Sequence, residues 1–115
     1  MVNGIKSGDE NITVQEDDLY YEIAEAALDT AGVFAISGQI TKENLLLNKG
    51  KNIMKKGIKL AKEKDKLKVD VFLILEYGFK IPQIAWSVQR NINKVFEKMS
   101  IPAGAINIHI NGVHF

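Results

Sequence analysis

Two histidines, 14 carboxylates and no cysteine are the whole reactive inventory of this chain. His109 alternates away from Ile108 and Ile110, and His114 stands near the end of the sequence. A zinc centre needs three or four convergent ligands. Nothing beside either histidine supplies the others, so both read as structural or solvent-facing, and no metal or cofactor is expected. Among the acids, Glu16, Asp17 and Asp18 sit where a helix would start, and Asp70 and Glu76 lie on the polar face of a strand. No carboxylate pair is set apart in an apolar setting, the arrangement that raises a pKa for acid catalysis. Without cysteine there are no disulfides, thiolate nucleophiles or cysteine-held metals, which suits a reducing cytoplasm.

Phosphate-binding loops fail as well. Gly50-Lys-Asn-Ile-Met-Lys-Lys-Gly57 has glycines and lysines but no Gly-Lys-Ser/Thr ending and no buried strand before it. The Gly-x-x-Gly clamp of RNA-binding KH domains is absent too. Neither an enzyme nor a nucleic-acid binder is expected from these residues.

Binding chemistry is a better prospect. At ~100° per residue, Trp86 falls about 160° from Val88 on a helical wheel, among Arg90, Asn93 and Glu97. It thus lies opposite the apolar stripe. Either the indole lies flat on the stem of Arg90 as a lone exposed aromatic, or the two residues anchor an interface, where both types are enriched. Tyr21 and Leu28 are similarly off the apolar face of their own helix.

The elements that position these residues follow from periodicity. Residues 1–10 are polar and expected to fray; Ile12-Thr-Val14 suits a short edge strand. Glu16 to Thr30 predicts a helix burying Leu19, Ile23, Ala26, Ala27 and Thr30, with Tyr20 on the margin. Acids at its start suit the positive end of the helix dipole. Val33 to Ser37 predicts a strand. Residues 38–56 are open between an irregular excursion, a broken helix and a mobile loop. Gly57–Glu63 and Leu67–Tyr77 predict a hairpin turning around Lys64-Asp65-Lys66. In its second strand Leu67, Val69, Val71, Leu73 and Leu75 point one way, and Lys68, Asp70, Phe72, Ile74 and Glu76 the other.

A two-residue period gives way to a helical one at Gly78. Pro82 opens a helix to about Met99 with the stripe Ile81, Ile84, Ala85, Val88, Ile92, Val95, Phe96, Met99. Ile106 to Asn111 alternates as a closing strand. The order β-α-β-β-β-α-β predicts an α+β two-layer sandwich, a small mixed sheet with two helices on one face. Its other face carries Phe72, Ile74, Ala61 and His109. Two large apolar residues there call for cover by a partner, a second copy or the 38–56 excursion.

At 115 residues the chain fits one domain, and its 46% hydrophobic and 25% charged content is that of a globular protein. Its first ten residues hold no apolar core of a signal sequence, and no apolar run approaches the ~20 residues of a membrane span. A cytoplasmic location is expected. The net charge of +1 conceals a division, acidic through residue 41 and lysine-rich from 42 to 68. Such asymmetry marks an anionic partner or, more simply, lysines that guard hairpin edges.

The second half has a recognisable series of motifs. Val69-Asp-Val-Phe-Leu-Ile-Leu-Glu-Tyr-Gly78, Ile81-Pro82 with Val88-Gln89, and Ile106-Asn-Ile-His-Ile-Asn-Gly-Val113 resemble the bacterial alkaline shock protein family, also called the general-stress Gls family. The first helix, through Ala26-Ala-Leu-Asp-Thr-Ala-Gly-Val33, is similar to the family's Ala-Ala … Gly-Val ending. The resemblance runs from about Ile12 to Val113. It departs at Gln15, where the family often has a capping serine, and in the length of 38–56, which is closer to the branch found beside fatty-acid kinase genes. The resemblance implies a non-enzymatic protein of envelope stress and homeostasis. It also implies either a membrane-anchored partner, with peripheral placement at the membrane, or an enzyme of fatty-acid metabolism. Self-association is expected beside it, the acidic first helix meeting the lysine-rich hairpin of another copy. The family offers no catalytic residues to carry over. The outward residues Phe72, Ile74, Trp86 and Arg90 are the expected partner surface.

Overall fold

A computed structural model describes residues 4–6 and 13–115. Its centre is β5 (Lys66–Glu76), whose alternation sorts every residue to one of two faces. Leu67, Val69, Val71, Leu73 and Leu75 are buried, and the residues between them are half-buried. Along one edge of β5, β4 (Ile58–Glu63) and β3 (Val33–Ile36) both run antiparallel, β4 against Lys66–Val71 and β3 against Leu73–Leu75. Along the other edge lies β6 (Ala103–His114), parallel to β5. A parallel neighbour needs a crossover, and α3 (Ile81–Lys98) supplies it. The expected mixed sheet with helices on one face is what forms.

Helix α3 starts where Pro82 fits its first turn. It buries Ile84, Val88, Ile92, Val95 and Phe96 on the sheet. The ends of the predicted stripe are less covered: Ile81 is exposed, and Ala85 and Met99 are half-buried. Helix α1 (Glu16–Leu28) buries Leu19, Ile23 and Ala27 as predicted, and Tyr20 and Ala24 in addition. It stops two residues short of Thr30, whose Oγ1 donates to the Ala26 carbonyl at 2.9 Å and accepts from Asn91 Nδ2 at 2.9 Å. Thr30 is thereby a polar pin between α1 and α3.

Leu28 is a correction. It is buried, although a single-sided wheel puts it outside. The reason is the 38–56 segment, which is irregular, with a 3₁₀ turn at Leu46–Asn48 and a short α2 (Met54–Gly57). Its Ile40, Leu45 and Met54 join the same core as α1, so α1 is covered on a second side. Most of the segment therefore widens the helix layer, while Gly38, Gln39 and Thr41 at its start border the open sheet face beside Ile74, which stays half-exposed.

Near the start, β1 (Gly4–Lys6) pairs antiparallel with β2 (Thr13–Gln15) in a separate two-stranded sheet. This corrects the frayed reading for residues 4–6 and shifts the expected Ile12–Val14 strand by one; 1–3 and 7–12 lie outside the described residues. The closing strand is also longer than its predicted core of 106–111, because a register shift between Ile110 and Gly112 lets pairing continue to His114.

Candidate interaction surfaces

Phe72 and Ile74 lie on the open sheet face, and so do Ala61 and His109, by their register with Lys68 and Phe72. Trp86 and Arg90 lie on the outer side of α3, across the sheet from them. The four expected surface residues thus form two separate patches rather than one.

On the helix side, Trp86 is 58% exposed, and the Arg90 guanidinium stacks 4.8 Å from its ring centroid. The indole rests on Arg90 and remains open to solvent. Together with Gln89, Asn93, Gly104 and Ile106 the pair lines a groove of about 340 Å³ between α3 and β6. Gln89 Nε2 donates to the Ile106 carbonyl at 2.8 Å. That carbonyl therefore points away from β5, toward the free side of the edge strand.

On the open face the two histidines are placed alike, which periodicity does not reveal. His109 stacks on Phe72 with ring centroids 4.4 Å apart, and its Nε2 is 2.8 Å from Asp70 Oδ1. An ionised carboxylate only accepts, so Nε2 carries the proton. Asn107 Nδ2 donates to the same oxygen at 3.1 Å. His114 stacks on Phe34 at 3.7 Å, and its Nδ1 lies 3.5 Å from Glu76. Each histidine thus rests on a phenylalanine beside a carboxylate of β5. Phe34, Ala35, Ser37, Ile74 and Asn111 border a shallow depression of about 350 Å³ next to the second of these groups.

The hydrogen bond from His109, with a second from Asn107, holds the Asp70 carboxyl below its ordinary value of 3.8. A lowered folded-state pKa contributes stability that is complete above 3.8 and is lost as pH falls through the lowered value. Asp70→Asn is therefore expected to lower stability above about pH 4, where the contribution is complete, and to make the acid limb of the stability–pH curve shallower below it. Denaturant titrations at stepped pH measure it; an unchanged acid limb would refute the coupling.

The charge division is settled partly within the chain. Lys42 meets Asp29, Lys49 meets Asp18, Lys55 meets Glu16 and Lys98 meets Glu22, all at 2.9–3.0 Å. These hydrogen-bonded carboxylates hold the four ammonium groups above their ordinary pKa. Solvent-exposed pairs add little to stability, but the first three tie the 38–56 segment to α1 and the residue that follows it, and the fourth ties α3 to α1. Among the described residues, no three of His, Asp or Glu form a metal-sized group, and no helix is long and apolar enough to cross a membrane.

Comparison with known proteins adds identity to this geometry. The uncharacterized protein YqhY of Bacillus subtilis (strain 168) is 39% identical over 61 residues, 52% of this chain and 45% of that protein. The uncharacterized protein Spy1535 of Streptococcus pyogenes serotype M6 is 32% identical over 60 residues, 50% of this chain and 46% of its own length. These two matches span about half of the relatives' length. The uncharacterized protein YloU of Bacillus subtilis is 29% identical over 91 residues, 76% of this chain and 75% of that protein. No solved structure matches. The model of the alkaline shock protein 23 family, described as having a cell envelope-related function, matches residues 4–115. The chain belongs to this family, the one that its motifs resemble.

Proposed function

We propose that this protein is a non-enzymatic interaction module of the cell envelope that self-associates and docks on a membrane-anchored partner from the cytoplasmic side. The observation that carries the reading is Trp86. A large aromatic held at 58% exposure by a stacked arginine, above a groove, has the composition of a binding hot spot. Trp86→Ala should leave the fold intact, with a stability change under about 1 kcal/mol for a side chain this exposed. It should also weaken self-association and capture of the partner. Sedimentation velocity and affinity capture, each run beside the wild type, measure this; unchanged behaviour in both would reject the reading.

A second reading makes the protein a regulatory partner of a fatty-acid or lipid-metabolism enzyme, bound through Phe72 and Ile74. The depression beside Ile74 favours it, because its apolar lining suits an inserted side chain. Capture that yields a membrane anchor and depends on Trp86 supports the first reading. Capture that yields a lipid-synthesis enzyme and depends on Ile74 supports the second.

A further inference from the structure

The two outer edges of the sheet are protected very differently. β4 carries Lys59, Lys62 and, at its turn, Lys64, the charges that discourage strands from adding to an edge. β6 is 12 residues long and has no Asp, Glu, Lys, Arg or Pro. Among the described residues it pairs only with β5. The outward Ile106 carbonyl fixes which groups are free. Backbone groups of alternate residues point to the same side, and register is regular from Ile106 to Ile110, so Ile106, Ile108 and Ile110 present their N–H and C=O outward. Their side chains lie half-buried on the helix side and pack against the core. The two register shifts of β6 flank the stretch from Ile106 to Ile110 without interrupting it, and this regular, uncharged stretch of edge is a template for another strand.

We infer that the β6 edge is the site where a second copy of this chain adds, antiparallel, about a two-fold axis at Ile108. This rests on the self-association reading above and names its surface. The edge is self-complementary in a way that points to a copy. Reversing Ile106-Asn-Ile-His-Ile110 about Ile108 sets Ile106 against the partner's Ile110 and Ile108 against its own equivalent. All three outward residues then exchange hydrogen bonds with three outward residues, as a hydrogen-bonded antiparallel register requires. Asn107 comes opposite the partner's His109 on the open face. The pairing opposes no fixed charges, because none exists from Ile101 to Phe115. The Ile106 carbonyl can keep its bond from Gln89, since a carbonyl oxygen accepts twice. Both copies' helices fall on the same side of the joined sheet, so the Trp86 grooves adjoin the new interface.

The absence of native cysteine makes the register testable. Asn107 and the partner's His109 form a non-hydrogen-bonded pair, with Cα atoms about 4.5 Å apart, inside the disulfide range. Equimolar N107C and H109C chains under mild oxidation should give a covalent dimer in much higher yield than either chain alone. Both positions face away from the core, so folding survives. Ile108→Lys, which opposes two lysines at the axis, should weaken wild-type dimerisation by at least about tenfold in sedimentation velocity. Circular dichroism checks its fold, and the cysteine pair decides alone if that variant unfolds. A wild type that is monomeric at all concentrations and gives no mixed disulfide overturns the inference. A dimer that resists Ile108→Lys and forms no mixed disulfide overturns the β6 edge while leaving self-association through Trp86 standing.

Discussion

Gly57→Ala is expected to lower the unfolding free energy by about 2–3 kcal/mol, the upper part of the range for overpacked sites. Gly57 is the last residue of α2, directly before β4, and is itself buried. A β-carbon there would sit 2.2 Å from Ile36 Cγ2 and 2.5 Å from the Ser37 carbonyl oxygen. Neither neighbour can yield cheaply. Ile36 is fully buried, and the Ser37 backbone is held by its N–H donating to the Phe72 carbonyl at 2.9 Å. The contact is thus where the irregular 38–56 segment is pressed onto the sheet. Urea titration should show a lower midpoint with an unchanged slope, and the melting temperature should fall by roughly 4 °C per kcal/mol. Gly78→Ala is the control: its φ of +95° imposes strain, but a β-carbon there meets nothing within 4 Å. That strain alone costs about 1–2 kcal/mol. A Gly57→Ala loss smaller than that of Gly78→Ala would mean that the close approach is not what the site requires.

Phe96→Ala should cost more, about 3–5 kcal/mol, because removing a buried ring forfeits its transfer energy and leaves a cavity. The side chain is 1% exposed and lies in the core cluster that α3 presses onto β5. Thermal denaturation should drop by roughly 15 °C. Phe96→Leu should recover roughly half of the loss by refilling part of the cavity. Trp86 supplies the comparison within one helix. It is the larger aromatic, yet its replacement by alanine is expected to cost far less, since more than half of it already faces water. Equal losses at the two positions would contradict the assignment of one to core and the other to surface.

This contrast is legible in the sequence alone. The stripe from Ile84 to Phe96 and the position of Trp86 opposite it follow from 3.6 residues per turn, just as the buried faces of β5 follow from a period of two. The start of α3 at Pro82 is legible for an equally local reason, since proline is suited to the first helical turn. The hidden parts all depend on neighbours distant in the chain. Leu28 looks exposed on a wheel that allows α1 one buried side, and Leu45 of the 38–56 segment provides a second. His109 and His114 look inert because their partners, Asp70 with Phe72 and Glu76 with Phe34, lie on other strands. Trp86 and Phe72 look like one surface because they stand close together in the sequence, whereas the sheet lies between them.

The sequence by itself determined the type and order of β2 to β6, α1 and α3, the inward faces of β5 and α3, and the family, because these are set by short-range backbone geometry and by motifs read in series. Only the tertiary structure decided the direction of β6, the packing of Ile40, Leu45 and Met54 beside α1, the two histidine–phenylalanine stacks and the uncharged edge beside Trp86. Those depend on strand register and on which edge stays free. Hydrogen bonds between residues dozens of positions apart fix both, and no local period encodes them.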